Sequence, residues 1–120
     1  MRLVNAVDTL SLSVIADEQI TAARSAPSGR SAQTVYGGRG HALRQTVLAL
    51  AGGHGLNEHE SPGEATLLVL RGRIRLGTSA ATVEGVAGDY LSIPQERHNV
   101  VALEDSVLLL TVVARSATTA

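Results

Sequence analysis

Short apolar runs separated by turn residues fill most of this chain. From Ser31 onward the chain consists of short β-like runs separated by turn residues, and in one run Ile74 and Leu76 alternate with Arg73, Arg75 and Gly77. Period-two alternation over a few residues is typical of half-buried β-strands. The pattern predicts strands at 32–36, 42–50, 65–70, 73–76, 82–86, 89–93, 99–103 and 106–113. The last run is the most apolar and is predicted to be central, and so many short strands favour a sandwich or a barrel.

The first thirty residues have a different pattern. Asp17 is a candidate cap for a short helix that ends near Arg24, and Pro27, Ser28 and Gly29 then break it. The predicted organisation is a lead-in with a short helix over 1–30, a β-domain over 31–114 and a polar tail over 115–120.

Composition excludes several classes of function. The 120 residues suit one domain, and the net charge of −1 with 2% aromatic residues argues against a nucleic-acid partner. Cysteine and lysine are absent, which excludes disulfides, thiolate metal sites and lysine Schiff bases. No apolar stretch approaches the roughly 20 residues of a membrane span, and no signal peptide is evident. We therefore expect a cytoplasmic protein without a membrane partner.

Two segments together resemble the motifs of the cupin family. The first runs from Gly53 to Gly72, and the second from Gly88 through Pro94 to His98. The family's first motif is Gly-x5-His-x-His-x3–4-Glu-x6-Gly, and its second ends in a histidine. The second motif is one residue short here and lacks a glycine. The resemblance implies an all-β fold, a single jelly-roll β-barrel preceded by the short helical segment.

The first motif fits the sequence in two registers. When its glycines are anchored on Gly53 and Gly72, His59 takes the first histidine position, Ser61 the second and Ala65 the glutamate position. A shift of two residues instead places Asn57, His59 and Glu64 at those positions but breaks the glycine spacing. Strand alternation allows only one of Glu64 and Ala65 to point inward without a bulge. Both registers stay open at this stage.

The resemblance implies a site for one divalent transition metal (iron, manganese, zinc or nickel). The alternative expectation is that this chain binds no metal. In the interpretation without a metal, His59 and His98 line a pocket and form hydrogen bonds with neighbouring groups or water. The candidate metal ligands are His59 and His98, then Glu64 and Asn57, and last His54. Ser61 and Arg44 are candidate pocket residues, with Arg44 suited to pairing with a carboxylate.

The predicted function is small-molecule binding, with or without a divalent metal, in the barrel of a stand-alone cupin-like protein. One alternative is a metal-dependent enzyme of the dioxygenase, isomerase or decarboxylase type, and another is a regulatory or sensor module. Small cupins commonly pair, so a homodimer is also expected. We further expect Gly53, Gly72 and Gly88 to be turn residues with positive φ.

Overall fold

A computed structural model describes residues 8–59 and 63–114 of the chain. The predicted tail over 115–120 and Ser61 lie outside the described residues. One helix and nine strands are described: α1 (Leu12–Ser25), β1 (Arg30–Gly37), β2 (Leu43–Leu50), β3 (Gly55–His59), β4 (Gly63–Arg71), β5 (Arg73–Thr78), β6 (Thr82–Val86), β7 (Tyr90–Ile93), β8 (His98–Ala102) and β9 (Ser106–Ala114).

Helix α1 begins earlier than the sequence pattern predicted. Its N-cap is Ser11, whose side-chain oxygen accepts a hydrogen bond from the backbone N–H of Val14. Asp17 therefore lies inside the helix and does not cap it, and its carboxylate pairs with Arg71 of β4 instead. A serine hydroxyl satisfies an otherwise unpaired N–H of the first turn, so the helix gains a full turn before Asp17. Within the described residues, no helix is long and apolar enough to cross a membrane.

The strands form two antiparallel sheets in the jelly-roll order. One sheet has the order β1-β2-β9-β4-β7 and the other β3-β8-β5-β6. The predicted jelly roll is confirmed, and β9 is central in its sheet as its apolar sequence indicated. The expected barrel is realised as a sandwich, because among the described residues no strand joins the two sheets into a closed ring.

Two apolar clusters hold three layers together. The larger one lies between the sheets and includes Leu67, Val69 and Leu108. The smaller one lies between α1 and the outer face of the five-stranded sheet, and it includes Ile20 and Val47. Alternate residues of β2, β4 and β9 thus face opposite clusters, as strand pleating requires. Helix α1 covers one outer face, and the region between the sheets is the interior of the sandwich.

Tight turns at one end of the sandwich depend on glycine. Gly53, Gly72 and Gly88 have φ values of +86°, +84° and +94°, which confirms that they are turn residues. A Cβ atom at Gly72 would lie 2.3 Å from the carbonyl oxygen of Asp105, so this turn also needs the missing side chain. The fold therefore demands glycine at Gly72 for two separate reasons.

Asp105 joins three parts of the molecule at that same end. One carboxylate oxygen accepts a hydrogen bond of 2.8 Å from the backbone N–H of Gly52, and the other accepts one of 2.6 Å from Nε of Arg24. The Gly52 hydrogen bond, followed by the Arg24 contacts, lowers the pKa of Asp105. The β8–β9 turn is thereby tied to the β2–β3 turn and to the last turn of α1.

Candidate functional site

The end of the sandwich opposite Asp105 carries the residues singled out by the two motifs. Here β3 ends at His59 and β4 begins at Gly63, while β7 ends at Ile93 and β8 begins at His98. The β1–β2 connection reaches the same end, because β2 runs from Leu43 towards the Asp105 end. Chain topology therefore brings the first and second motifs together at one edge of the interior.

His98 is a buried histidine that faces the interior. Its residue is 3% exposed, and it shares the inner face of β8 with Val100 and Ala102, both of which belong to the buried cluster between the sheets. The Nδ1 atom lies 2.9 Å from the carbonyl oxygen of Glu96. A carbonyl oxygen only accepts hydrogen bonds, so Nδ1 carries a proton. In the neutral ring, the lone pair is therefore on Nε2.

His59 and His98 are direct cross-strand partners. Leu56 of β3 pairs with Val100, and a regular ladder would then pair residue 58 with His98. A register shift after Leu56 adds one residue to β3, and the position opposite His98 is therefore occupied by His59. A bulge of this kind reverses the alternation of the strand beyond it.

The register of β4 places Ala65, and not Glu64, on the inner face. Ala65 packs against the cluster that contains Leu67, whereas Glu64 is exposed and lies opposite Val113. The inner face therefore follows the exact glycine spacing of the first motif, in which the glutamate position is occupied by alanine. The structure does not bring Glu64 to the interior beside His98.

Two further candidates lie away from His98. His54 precedes β3, at the opposite end of that strand from His59, and its carbonyl oxygen accepts a hydrogen bond from the backbone N–H of Ala102. Its exposed ring packs against Gly29. Asn57 is exposed and lies in the bulged part of β3. Among residues 8–59 and 63–114, no group of three or more His, Cys, Asp or Glu side chains is placed to hold a metal ion.

Arg44 lines a cleft at the same end as His98. It has the same strand parity as Leu48 and Leu50, which face the interior, and it pairs in register with Val112. The cleft has a volume of about 240 Å³ and is lined by Gly38, Arg39, His41, Ala42, Arg44 and Val112. Sequence reasoning singled out Arg44 but missed Arg39, although the glycines around Arg39 mark a turn just before the strand that carries Arg44.

Comparison with known proteins rests on structure alone. No family model matches the sequence, and no curated protein matches it. A conserved protein of unknown function from Streptococcus pyogenes is 26% identical, with a TM-score of 0.67 over 77% of this chain and 80% of that one. A cupin superfamily protein from Desulfitobacterium hafniense is 16% identical, with a TM-score of 0.66 over 72% of this chain and 78% of that one.

An enzyme is also among the similar structures. Salicylate 1,2-dioxygenase from Pseudaminobacter salicylatoxidans is 16% identical, with a TM-score of 0.70 over 83% of this chain and 33% of that one. Identities this low establish a shared fold and no more. The chain has the cupin fold, as the two motifs predicted.

Proposed function

We propose that this chain, built on the cupin fold, binds a small molecule at the end of the sandwich where the two motifs meet. The observation that carries the proposal is His98, a buried histidine on the inner face whose direct cross-strand partner is His59. An inward polar group at the mouth of an otherwise apolar interior is typical of a ligand site, where a few polar groups orient the ligand.

The chemistry of His98 suits recognition of a hydrogen-bond donor. Its Nδ1 donates a hydrogen bond to the carbonyl oxygen of Glu96, which orients the ring and makes Nε2 the acceptor atom of the neutral form. Apolar side chains on the same face, Val100 and Leu76 among them, would pack against the carbon skeleton of the ligand. His98 would thus orient the ligand, and the apolar interior would exclude water from it.

A catalytic metal fits the described residues less well. Catalytic zinc and facial-triad iron sites take three protein ligands, one of them commonly a carboxylate. The two histidines would supply two nitrogen donors, but the glutamate position on the inner face is occupied by Ala65. A bound ion held by His59 and His98 alone would have most of its coordination positions filled by water or ligand. Binding without chemistry is therefore the function that we favour.

A metal-dependent enzyme is the second candidate. The pairing of His59 with His98 favours it, since two imidazoles on neighbouring strands are a common part of metal sites. A dioxygenase is among the proteins that share the fold. If an iron, manganese, zinc or nickel ion is bound, it would polarise a ligand oxygen, and the two histidines would hold it.

The two candidates are separated by metal analysis of protein purified without an affinity tag. For the binding function, we expect less than stoichiometric metal in the wild type and normal folding without it. We expect His98→Gln to weaken ligand binding, measured by thermal shift and calorimetry against a panel of small metabolites. His54→Gln is the matched control, because His54 is exposed and lies at the other end of β3.

Each outcome decides between the candidates. Stoichiometric metal that is lost in both His59→Ala and His98→Ala would support the enzyme. Metal-free protein whose ligand binding depends on His98 but not on His54 would support the binding function. A panel in which His98→Gln and His54→Gln bind as well as the wild type would overturn the proposed site.

A further inference from the structure

Two arginines line one cleft and have no carboxylate partner among the residues that the structure describes. Arg39 lies in the β1–β2 connection and Arg44 in β2, and both line the cleft of about 240 Å³. Within the described part of the chain, neither guanidinium makes an ion pair. Both are exposed, so a ligand from solution can reach them.

Most other arginines of the described residues are neutralised by acids. The ion pairs are Arg24 with Asp105, Arg71 with Asp17, Arg73 with Glu84 and Glu104, and Arg75 with Glu84. Arg30 also makes no such pair, but it lies at the start of β1, at the end of the sandwich away from the cleft. The cleft is thus a place where positive charge is concentrated and is not neutralised by an acid of residues 8–59 or 63–114.

Part of the cleft wall is apolar. Val112 is 7% exposed and forms part of the wall, and it pairs in register with both Arg44 and Ala65. The loop that carries Arg39 is braced by His41, whose ring lies edge-on to Tyr36 with 5.6 Å between ring centroids. An apolar wall beside two guanidinium groups suits a ligand with a hydrocarbon part and an anionic head.

We propose that the cleft binds the carboxylate of a small organic acid, with Arg44 and Arg39 as its anchoring residues. The inference rests on the proposed function and names the ligand class for the same end of the sandwich. A guanidinium presents paired N–H donors in a plane, which match the two oxygens of a carboxylate. The cleft volume lies below the roughly 300–1,000 Å³ typical of drug-sized sites, so the ligand is a small metabolite.

The test is calorimetric titration at low ionic strength with acetate, succinate, citrate and benzoate, and with succinamide as the neutral analogue of succinate. We expect at least one carboxylate to bind and succinamide not to bind. Arg44→Gln and Arg39→Gln should each weaken that carboxylate about tenfold or more, since hydrogen bonds to charged groups are among the stronger ones. Arg30→Gln is the matched control and should leave the affinity within about twofold of the wild type.

Several results would overturn the inference. They are the absence of binding of every carboxylate at millimolar concentration, equal affinity for succinamide, and equal weakening by Arg30→Gln. Binding of inorganic phosphate with no binding of any carboxylate would also reject the assigned ligand class. A neutral ligand that depends on His98 but is unaffected by Arg44→Gln would overturn this inference and leave the proposed function standing.

Discussion

Asp105 is expected to stabilise the fold through its two contacts and to do so in a pH-dependent way. The perturbation is Asp105→Asn, which keeps the shape of the side chain and removes its charge, together with Asp105→Ala, which removes both contacts. The wild-type carboxylate accepts hydrogen bonds from the backbone N–H of Gly52 and from Nε of Arg24. Each variant therefore weakens the link between α1 and the two turns.

The size of the expected loss of stability follows from the solvent exposure of Asp105 and Arg24. The Asp105 side chain is 39% exposed and that of Arg24 is 58% exposed, so solvent screens their attraction. An exposed ion pair contributes about 0.2–1 kcal/mol, and a screened hydrogen bond to a carboxylate contributes about 1 kcal/mol. We expect Asp105→Ala to lower the free energy of unfolding by about 1–2 kcal/mol, a drop in Tm of roughly 4–8 °C for a chain of this length. Asp105→Asn should lower it by about half as much.

The pH dependence has a defined sign. The Gly52 hydrogen bond, and then Arg24, lower the pKa of Asp105 in the folded protein. The stabilisation is therefore complete above the unfolded pKa of about 3.9, and it is lost as the pH falls through the lower folded pKa. The difference between wild type and Asp105→Asn should be constant from about pH 5 to 8 and should shrink below about pH 4.

Urea unfolding followed by circular dichroism measures these differences, since the chain has no tryptophan for fluorescence. Asp17→Asn is the control, because the Asp17 side chain is 71% exposed and pairs with Arg71. It should change stability by less than about 0.5 kcal/mol. An Asp105→Asn effect no larger than that of the control at pH 7, or one that grows as the pH falls from 5 to 3, would refute the reasoning.

Three further changes test the fold, the site and the assembly. Gly72→Ala should lower the free energy of unfolding by at least about 2 kcal/mol more than Gly88→Ala does, as measured by urea unfolding. Both glycines have positive φ, but only at Gly72 would the added Cβ meet nearby atoms. Equal losses of stability in the two variants would contradict this. Ala65→Glu places a carboxylate on the inner face of the sheet, and the variant should bind zinc at least about tenfold more tightly than the wild type in calorimetry. An unchanged zinc affinity would contradict the inferred inward orientation of residue 65. The predicted homodimer should have twice the 12.4 kDa mass of the chain in light scattering. Tyr90 is 67% exposed on the edge strand β7, and Tyr90→Arg should shift the protein to a monomer. A monomeric wild type would contradict the predicted homodimer.

Most strands could be predicted from the sequence because short apolar runs are separated by residues that favour turns. The run at 82–86 coincides with β6, and the final apolar run was correctly expected at the centre of a sheet. Strand β3 was not predicted, because Gly55–His59 has little apolar alternation to reveal it. The helix start was misplaced because Ser11 and Asp17 are both good capping residues, and only packing of the extra turn selects Ser11.

The site was predictable in its residues but not in its geometry. The sequence identified His98, and the structure shows that it is buried and faces the interior. The choice between Glu64 and Ala65 depended on strand parity, which a motif with two registers leaves open. The metal ligands, the histidine pair included, stay predictions, and so do the homodimer and the cytoplasmic location. The cleft lined by Arg39 and Arg44 depends on how the β1–β2 connection folds back over β2. The local sequence does not specify how closely the two arginines approach each other.

The bulge in β3 decides how the strand reaches His98. It holds one extra residue between Leu56 and His59, which pair with Val100 and His98 respectively. Loss of a single residue between Leu56 and His59 would restore the regular ladder and leave His59 opposite His98, because His59 would then be the second residue after Leu56. Strand β3 can therefore change its length by one residue without changing the residue that is paired with His98.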